Sequence, residues 1–241
     1  MTKSIFKIQD QALALVFKRL LPKYPDSEII LGGGTALARF YLHHRVSYDL
    51  DFFLSSAFDP VVLAKRLGEI GLPVDVRGVE SKGTYATQLH GLLNTPGGDV
   101  ITVSFVEDIF AGMFKSVEFQ GVLTEEIDGL YHRKLRTVSG TGSVLSQSGR
   151  ELGQGHRQTA RDLYDLYVLD LKQEPIDQFV DRINKDGARF PVEIFRQNLS
   201  AIPWMDLIDE FEMLEPIAPF QRIGAMDMKR KFDDVLKRIT L

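Results

Sequence analysis

The chain is 241 residues long, enough for one large domain or two small ones, and its 44% hydrophobic and 26% charged residues are an ordinary globular balance. A net charge of −4 supplies no global basic field for nucleic acid, and the absence of cysteine excludes disulfides and thiolate metal sites. Lys7, Gln9, Asp10 and Gln11 interrupt the N-terminal stretch too early for a signal peptide, and no run reaches the ~18 apolar residues of a membrane span, so a cytoplasmic protein without membrane contact is expected.

In chain order, residues 9–21 carry Leu13, Val16, Phe17, Leu20 and Leu21 at helical spacing, and Pro22 and Pro25 end the pattern. Ile29 to Leu31 reads as a first strand. Gly32, Gly33 and Gly34 follow it directly, and a short helix is expected from Thr35 to about His43. A glycine turn ahead of a helix lets backbone N–H groups approach a phosphate closely. Gly33, Gly34 and Thr35 are therefore candidate nucleotide-binding residues, with Arg45 and Ser47 adding charge and a hydroxyl donor.

The next strand is expected over Tyr48 to Leu54, carrying Asp49 and Asp51 among Leu50, Phe52 and Phe53. On a strand, residues i and i+2 share a face, roughly 6.6 to 7 Å apart. Two carboxylates so placed repel each other unless a cation lies between them, and a hard divalent ion such as Mg²⁺ suits oxygen ligands. Asp49 and Asp51 are thus the metal candidates. Together with the glycine turn they equip the chain for phosphoryl or nucleotidyl transfer.

The pattern Gly33-Gly34-Thr35-Ala36-Leu37, followed by His44-Arg45-x-Ser47-x-Asp49-Leu50-Asp51-Phe52-Phe53, resembles the AbiEii/AbiGii toxin family of the DNA polymerase β-like nucleotidyltransferase superfamily. The resemblance implies Mg²⁺-dependent transfer of a nucleoside monophosphate from an NTP to an acceptor. RNA, tRNA ends included, is one such acceptor, and a cognate antitoxin is an implied partner.

Further along, Asp59-Pro60 is a helix start, stopped at Gly71. Val74–Val79, Thr84–Leu93 and Val100–Val106 read as strands, the last two joined by a turn over residues 94–99. The superfamily carries a third metal carboxylate on a strand beside the acid strand. The matching position here is Ser104, leaving Asp99, Glu107 or Asp108 as substitutes, or a metal held by two carboxylates plus substrate phosphates. A nucleotide-binding protein without turnover is therefore an alternative, as is a small-molecule nucleotidyltransferase.

Thr124 reads as the cap of a helix over residues 125–138, and residues 139–155, rich in Gly and Ser, read as a mobile loop. His156 to Leu171 is helical, with Asp162 and Asp165 as i, i+3 neighbours. Lys134, then Arg157, Arg161, Asp162 and Asp165, again resemble the family. That resemblance implies Lys134 on the nucleotide phosphates and Asp162 near the catalytic centre. A lysine suits a triphosphate, and an aspartate can take a proton from an attacking hydroxyl. Asp49, Asp51, Lys134 and Asp162 are thus the catalytic set. The remainder is helical, including a segment from Trp204 to Leu214. The expected fold is α/β (α+β): a nucleotidyltransferase-like mixed sheet in residues 1–123 and a mostly helical domain in residues 124–241.

Overall fold

A computed structural model describes residues 2–81, 86–140, 142–145, 151–154 and 157–239. The chain opens with helix α1 (Thr2–Leu15), longer at its start than the apolar spacing implied, and runs on through a π-turn over Val16–Leu20. The apolar run before the glycines is strand β1 (Ile29–Leu31), buried throughout. Helix α2 (Gly33–Ala36) continues as a π-turn over Leu37–Tyr41. Strand β2 (Leu50–Leu54) follows, then helix α3 (Pro60–Glu69). Asp59 caps α3 as its sequence demands: its carboxylate accepts from Val61 N at 2.8 Å and Val62 N at 3.1 Å, and Pro60 fills the first helical position.

Strands β3 (Val74–Glu80), β4 (Gln88–Asn94) and β5 (Val100–Glu107) come next. Thr84 and Tyr85, the expected start of β4, lie outside the described residues, as does His156. Strands β6 (Ser116–Phe119) and β7 (Val122–Glu125) precede helix α4 (Ile127–Ser139). Thr124 is not a helix cap. Its hydroxyl donates to the Leu31 carbonyl at 2.7 Å, pinning β7 to β1. Within residues 139–155, read as a mobile loop, the described residues include β8 (Gly142–Leu145) and β9 (Glu151–Gln154), which pair in a two-stranded sheet. Ladder bonds come from the backbone, which Gly/Ser-rich composition does not reveal. Helices α5 (Ala160–Lys172), α6 (Ile176–Lys185), α7 (Val192–Ser200), α8 (Ile208–Glu212) and α9 (Ala225–Arg238) complete the chain. Helix α8 is shorter than the Trp204–Leu214 expectation, with turns over residues 204–207.

Two units interleave along the sequence. The sheet unit comprises Met1–Ala36, Ser47–Gly129 and Ser143–Gly153; the helical unit comprises Leu37–Val46, Leu130–Gly142 and Gln154–Leu241. The described residues of the sheet unit form a seven-stranded mixed sheet in the order β3-β4-β5-β2-β1-β7-β6. β2 runs parallel to β5 and β1 to β7; the other neighbours are antiparallel. The α/β class read from the sequence holds. Strand period sets the two faces of β2: Leu50, Phe52 and Leu54 are fully buried, while Asp51 and Phe53 on the opposite face are half-buried. Phe52 stacks on Phe105 at 4.9 Å and meets Phe17 at 6.2 Å, so the core lies on one side of the sheet and Asp51 on the other.

In the helical unit, Tyr131 stacks on Phe179 at 4.1 Å, and Trp204 packs against Phe211 and Phe232. Residues 44–46 run antiparallel beside 215–217, through Val46 N to Glu215 O and Ile217 N to His44 O, both 2.9 Å. That short ladder is why the segment just ahead of the acids belongs to this unit.

Candidate active site

The sheet unit builds its site from the bend after β1. Gly32 N donates to the Asp51 carbonyl at 2.8 Å, bringing the bend against β2. Gly33 sits at φ +64, where a side chain is strained, and a Cβ there would meet the Asp51 carboxylate, 3.1 Å from its Cγ. A Cβ on Gly32 would lie 2.5 Å from the Phe53 ring. Two consecutive glycines are thus demanded by the outward face of β2: one makes room for a carboxylate, the other for an aromatic ring.

Thr35 and Ser47, expected to face phosphates, are both buried. Thr35 Oγ1 lies 2.9 Å from Ser47 Oγ and also hydrogen-bonds the Asp49 carbonyl. Their hydroxyls fasten α2 to the approach to β2, which fixes where Asp49 enters. Gln9 adds a bond from its Nε2 to the Ser47 carbonyl at 2.8 Å. Asp49 lies one residue ahead of the ladder and is half-buried, like Asp51.

Among the described residues no group of three or more His, Asp or Glu side chains is disposed for a metal. The expected pair, Asp49 and Asp51, would then act as a two-carboxylate donor set. Such a set fits Mg²⁺, which keeps several waters and shares its sphere with substrate phosphates, and does not suit a closed all-protein cage.

The third-carboxylate position is occupied by Ser104, whose Cα pairs with that of Asp51 in the parallel β2–β5 ladder. None of the three expected substitutes reaches it. Asp99 lies at the far end of β5, about 16 Å along the strand. Glu107 accepts from Thr87 N at 3.0 Å and Asp108 from Phe110 N at 2.9 Å, so both carboxylates serve the turns beyond the strand. Instead, Ser104 Oγ lies 2.9 Å from Nδ1 of His90, its partner across the antiparallel β4–β5 ladder. His90 Nε2 lies 2.8 Å from Oε1 of Gln88. An amide oxygen only accepts, so Nε2 carries the proton and Nδ1 accepts from the Ser104 hydroxyl. The sequence reading missed this group. Counting backwards from the 94–99 turn would have found it, since that register sets Gln88 opposite Val106 and His90 opposite Ser104.

The helical unit gathers a second set of charges. Asp165 is fully buried and receives Arg45 Nε at 2.6 Å, Arg45 Nη2 at 2.8 Å, His44 Nε2 at 2.7 Å and Lys134 Nζ at 2.8 Å. Burial pushes its carboxyl up, but the Arg45 and Lys134 charges outweigh this and hold it well below the usual carboxylate range. Asp162 receives Lys134 Nζ at 2.7 Å, Arg157 Nε at 2.9 Å and Thr159 Oγ1 at 2.8 Å. Burial again pushes upward, and Lys134 with Arg157 brings the group down to about 2. Burial also keeps His44 neutral despite its carboxylate partner, its ring stacked on Tyr164.

These contacts involve three of the expected site residues. Arg45 was read as a phosphate ligand, but its guanidinium is buried and clamped on Asp165. Asp162, expected as a proton acceptor, has its carboxyl held at about 2 by two cations. Lys134 spends two of an ammonium's three donors on Asp162 and Asp165.

A family model described as "Nucleotidyl transferase AbiEii toxin, Type IV TA system" matches residues 17–238. The chain belongs to this AbiEii family. As a member it is a nucleotidyltransferase enzyme of a toxin family whose description places it in type IV toxin–antitoxin systems. The structure resembles JHP933 from Helicobacter pylori, with TM-score 0.51 and 15% identity over 99% of this chain and 93% of that one. It also resembles a candidate nucleotidyltransferase from H. pylori, with TM-score 0.54 and 16% identity over 99% and 97% of the two chains. At these identities the likeness establishes the fold of the AbiEii chain. No curated protein matches the sequence. Among the described residues of this family member, no helix is long and apolar enough to cross a membrane.

Proposed function

We propose that the chain transfers a nucleoside monophosphate from an NTP to a hydroxyl acceptor, with release of pyrophosphate, and that RNA, tRNA ends included, is the acceptor. The observation that carries the reading is the Asp51 carboxylate lying against Gly33, a backbone position where no side chain fits. In this reading Asp49 and Asp51 hold Mg²⁺, which supplies charge neutralisation on the triphosphate. Main-chain groups at Gly33 and Gly34 face the phosphates, and Thr35 and Ser47 keep the Asp49 backbone in place. Lys134, fixed by Asp162 and Asp165, offers its remaining donor to a phosphate oxygen. Asp162 acts by positioning Lys134 rather than by taking a proton. A cytoplasmic toxin restrained by a cognate antitoxin completes the reading.

The test is incubation with α-labelled NTPs, Mg²⁺ and total RNA. Label enters RNA with the wild type, and Asp51→Asn reduces the rate on the order of 10²-fold or more, the share expected for several kcal/mol of metal-assisted charge stabilisation. Unchanged transfer by Asp51→Asn defeats the proposal. Ser104 in the third-carboxylate position favours a second reading, nucleotide binding without turnover. That reading predicts tight NTP binding with no label passing to any acceptor.

A further inference from the structure

We propose that Ser104 is itself a nucleotidyl acceptor, so that the chain attaches a nucleoside monophosphate to its own β5 strand. The inference rests on the nucleotidyl-transfer reading above. Ser104 is the Cα partner of Asp51, one strand spacing of about 4.8 Å away. On β2, β5 and β4 alike, the residues flanking this row are buried on the core face: Leu50 and Phe52, Val103 and Phe105, Leu89. Asp51, Ser104 and His90 are half-buried on the opposite face. In this proposal an NTP whose phosphates meet Asp51 sits with its α-phosphorus within reach of the neighbouring serine.

A serine hydroxyl is a weak nucleophile until a base lies within hydrogen-bond reach and a third group orients that base. All three parts are present, with Ser104 Oγ 2.9 Å from His90 Nδ1 and His90 Nε2 2.8 Å from Gln88 Oε1. The Gln88 oxygen fixes the tautomer in which Nδ1 is the proton acceptor. In the step, Ser104 Oγ bonds to the α-phosphorus while the bond from that phosphorus to the α,β-bridging oxygen breaks. Pyrophosphate leaves with the electron pair, and the hydroxyl proton passes to His90 Nδ1. The product is a phosphodiester joining Ser104 to the nucleoside 5′ oxygen, with no oxidant or reductant consumed. A merely structural role, cross-strand hydrogen bonding of half-buried polar groups, would leave Ser104 unmodified.

The full chain is incubated with each α-labelled NTP and Mg²⁺, with and without total RNA, and the protein is digested and mapped by mass spectrometry. The expected result is label on the peptide containing Ser104 when RNA is omitted. That label is absent in Ser104→Ala, partly retained in Ser104→Thr and slowed at least ~10²-fold in His90→Gln, the scale of one general base. Because the wild-type map alone locates the modification, the result does not depend on any variant folding. Label on RNA with none on the protein overturns this inference and leaves the transfer reading intact. Label on a different residue, or equal labelling of Ser104→Ala, also overturns it. Label on neither protein nor RNA overturns both.

Discussion

Replacing Asp165 by Asn should be the most damaging isosteric change in the helical unit. The side chain is fully buried and its two oxygens receive four donors from His44, Arg45 and Lys134. Asn keeps the shape but loses the charge, and its NH₂ points a donor at one of these cationic groups. Arg45, 3% exposed, loses the carboxylate that neutralises it and gains little water in return. Breaking a buried pair in this way costs about 3–5 kcal/mol. Asp162→Asn is the internal comparison. Lys134 then keeps Asp165, and Arg157, 64% exposed at its side chain, rehydrates, so about 1–2 kcal/mol is expected. Trp204 is the sole tryptophan and packs in the helical unit against Phe211 and Phe232, so its fluorescence in a urea titration reports on this unit. An Asp165→Asn protein within 1 kcal/mol of wild type, or one less damaged than Asp162→Asn, refutes the reasoning.

Gly33→Ala should cost roughly 1–2 kcal/mol from the positive φ alone and displace the Asp51 carboxylate, lowering NTP affinity at least ~10-fold in a calorimetric titration. Phe52→Ala should cost about 3–5 kcal/mol in the thermal unfolding of the sheet unit, because its ring is stacked on Phe105 with no exposure. His132 is buried beside Arg136 and Arg133 and stays neutral down to about 3. The unfolded chain takes up that proton from about pH 6.5 downward, so folding stability falls as pH drops below this value, and His132→Gln should flatten the Trp204-monitored dependence between pH 6.5 and 4. Asp162 works at lower pH. With its carboxyl at about 2, the stability it lends is full above the usual carboxylate value and is lost as pH falls from about 4 to 2, which acid titration of Asp162→Asn should remove.

The apolar run, the glycine bend and the outward face of Asp51 were legible in the sequence because each answers to a local rule. Strand period assigns Asp51 to the face away from Phe52, and only glycine fits the bend at Gly33. The Asp59-Pro60 helix start was legible for the same reason, since both of its signals lie within one turn. Features decided by distant partners were not. Arg45 looks like a phosphate ligand until Asp165, 120 residues later, accepts from its Nε and Nη2. Thr124 looks like a cap until Leu31 offers a carbonyl to its hydroxyl. The β8–β9 pairing is made by main-chain groups in a stretch whose composition suggests a linker. His90 was passed over because a lone histidine carries no spacing signal, and its meaning comes from the register that sets it opposite Ser104.

The most direct measurement is NTP affinity by titration calorimetry, with Mg²⁺ and with EDTA, for wild type and Asp51→Asn. The account predicts that wild-type binding needs Mg²⁺, and that Asp51→Asn loses at least ~10-fold in affinity and most of the Mg²⁺ dependence while its thermal unfolding stays that of the wild type. An Asp51→Asn protein that binds NTP as tightly as wild type, with the same response to Mg²⁺, contradicts the assignment of Asp51 to the metal and the phosphates.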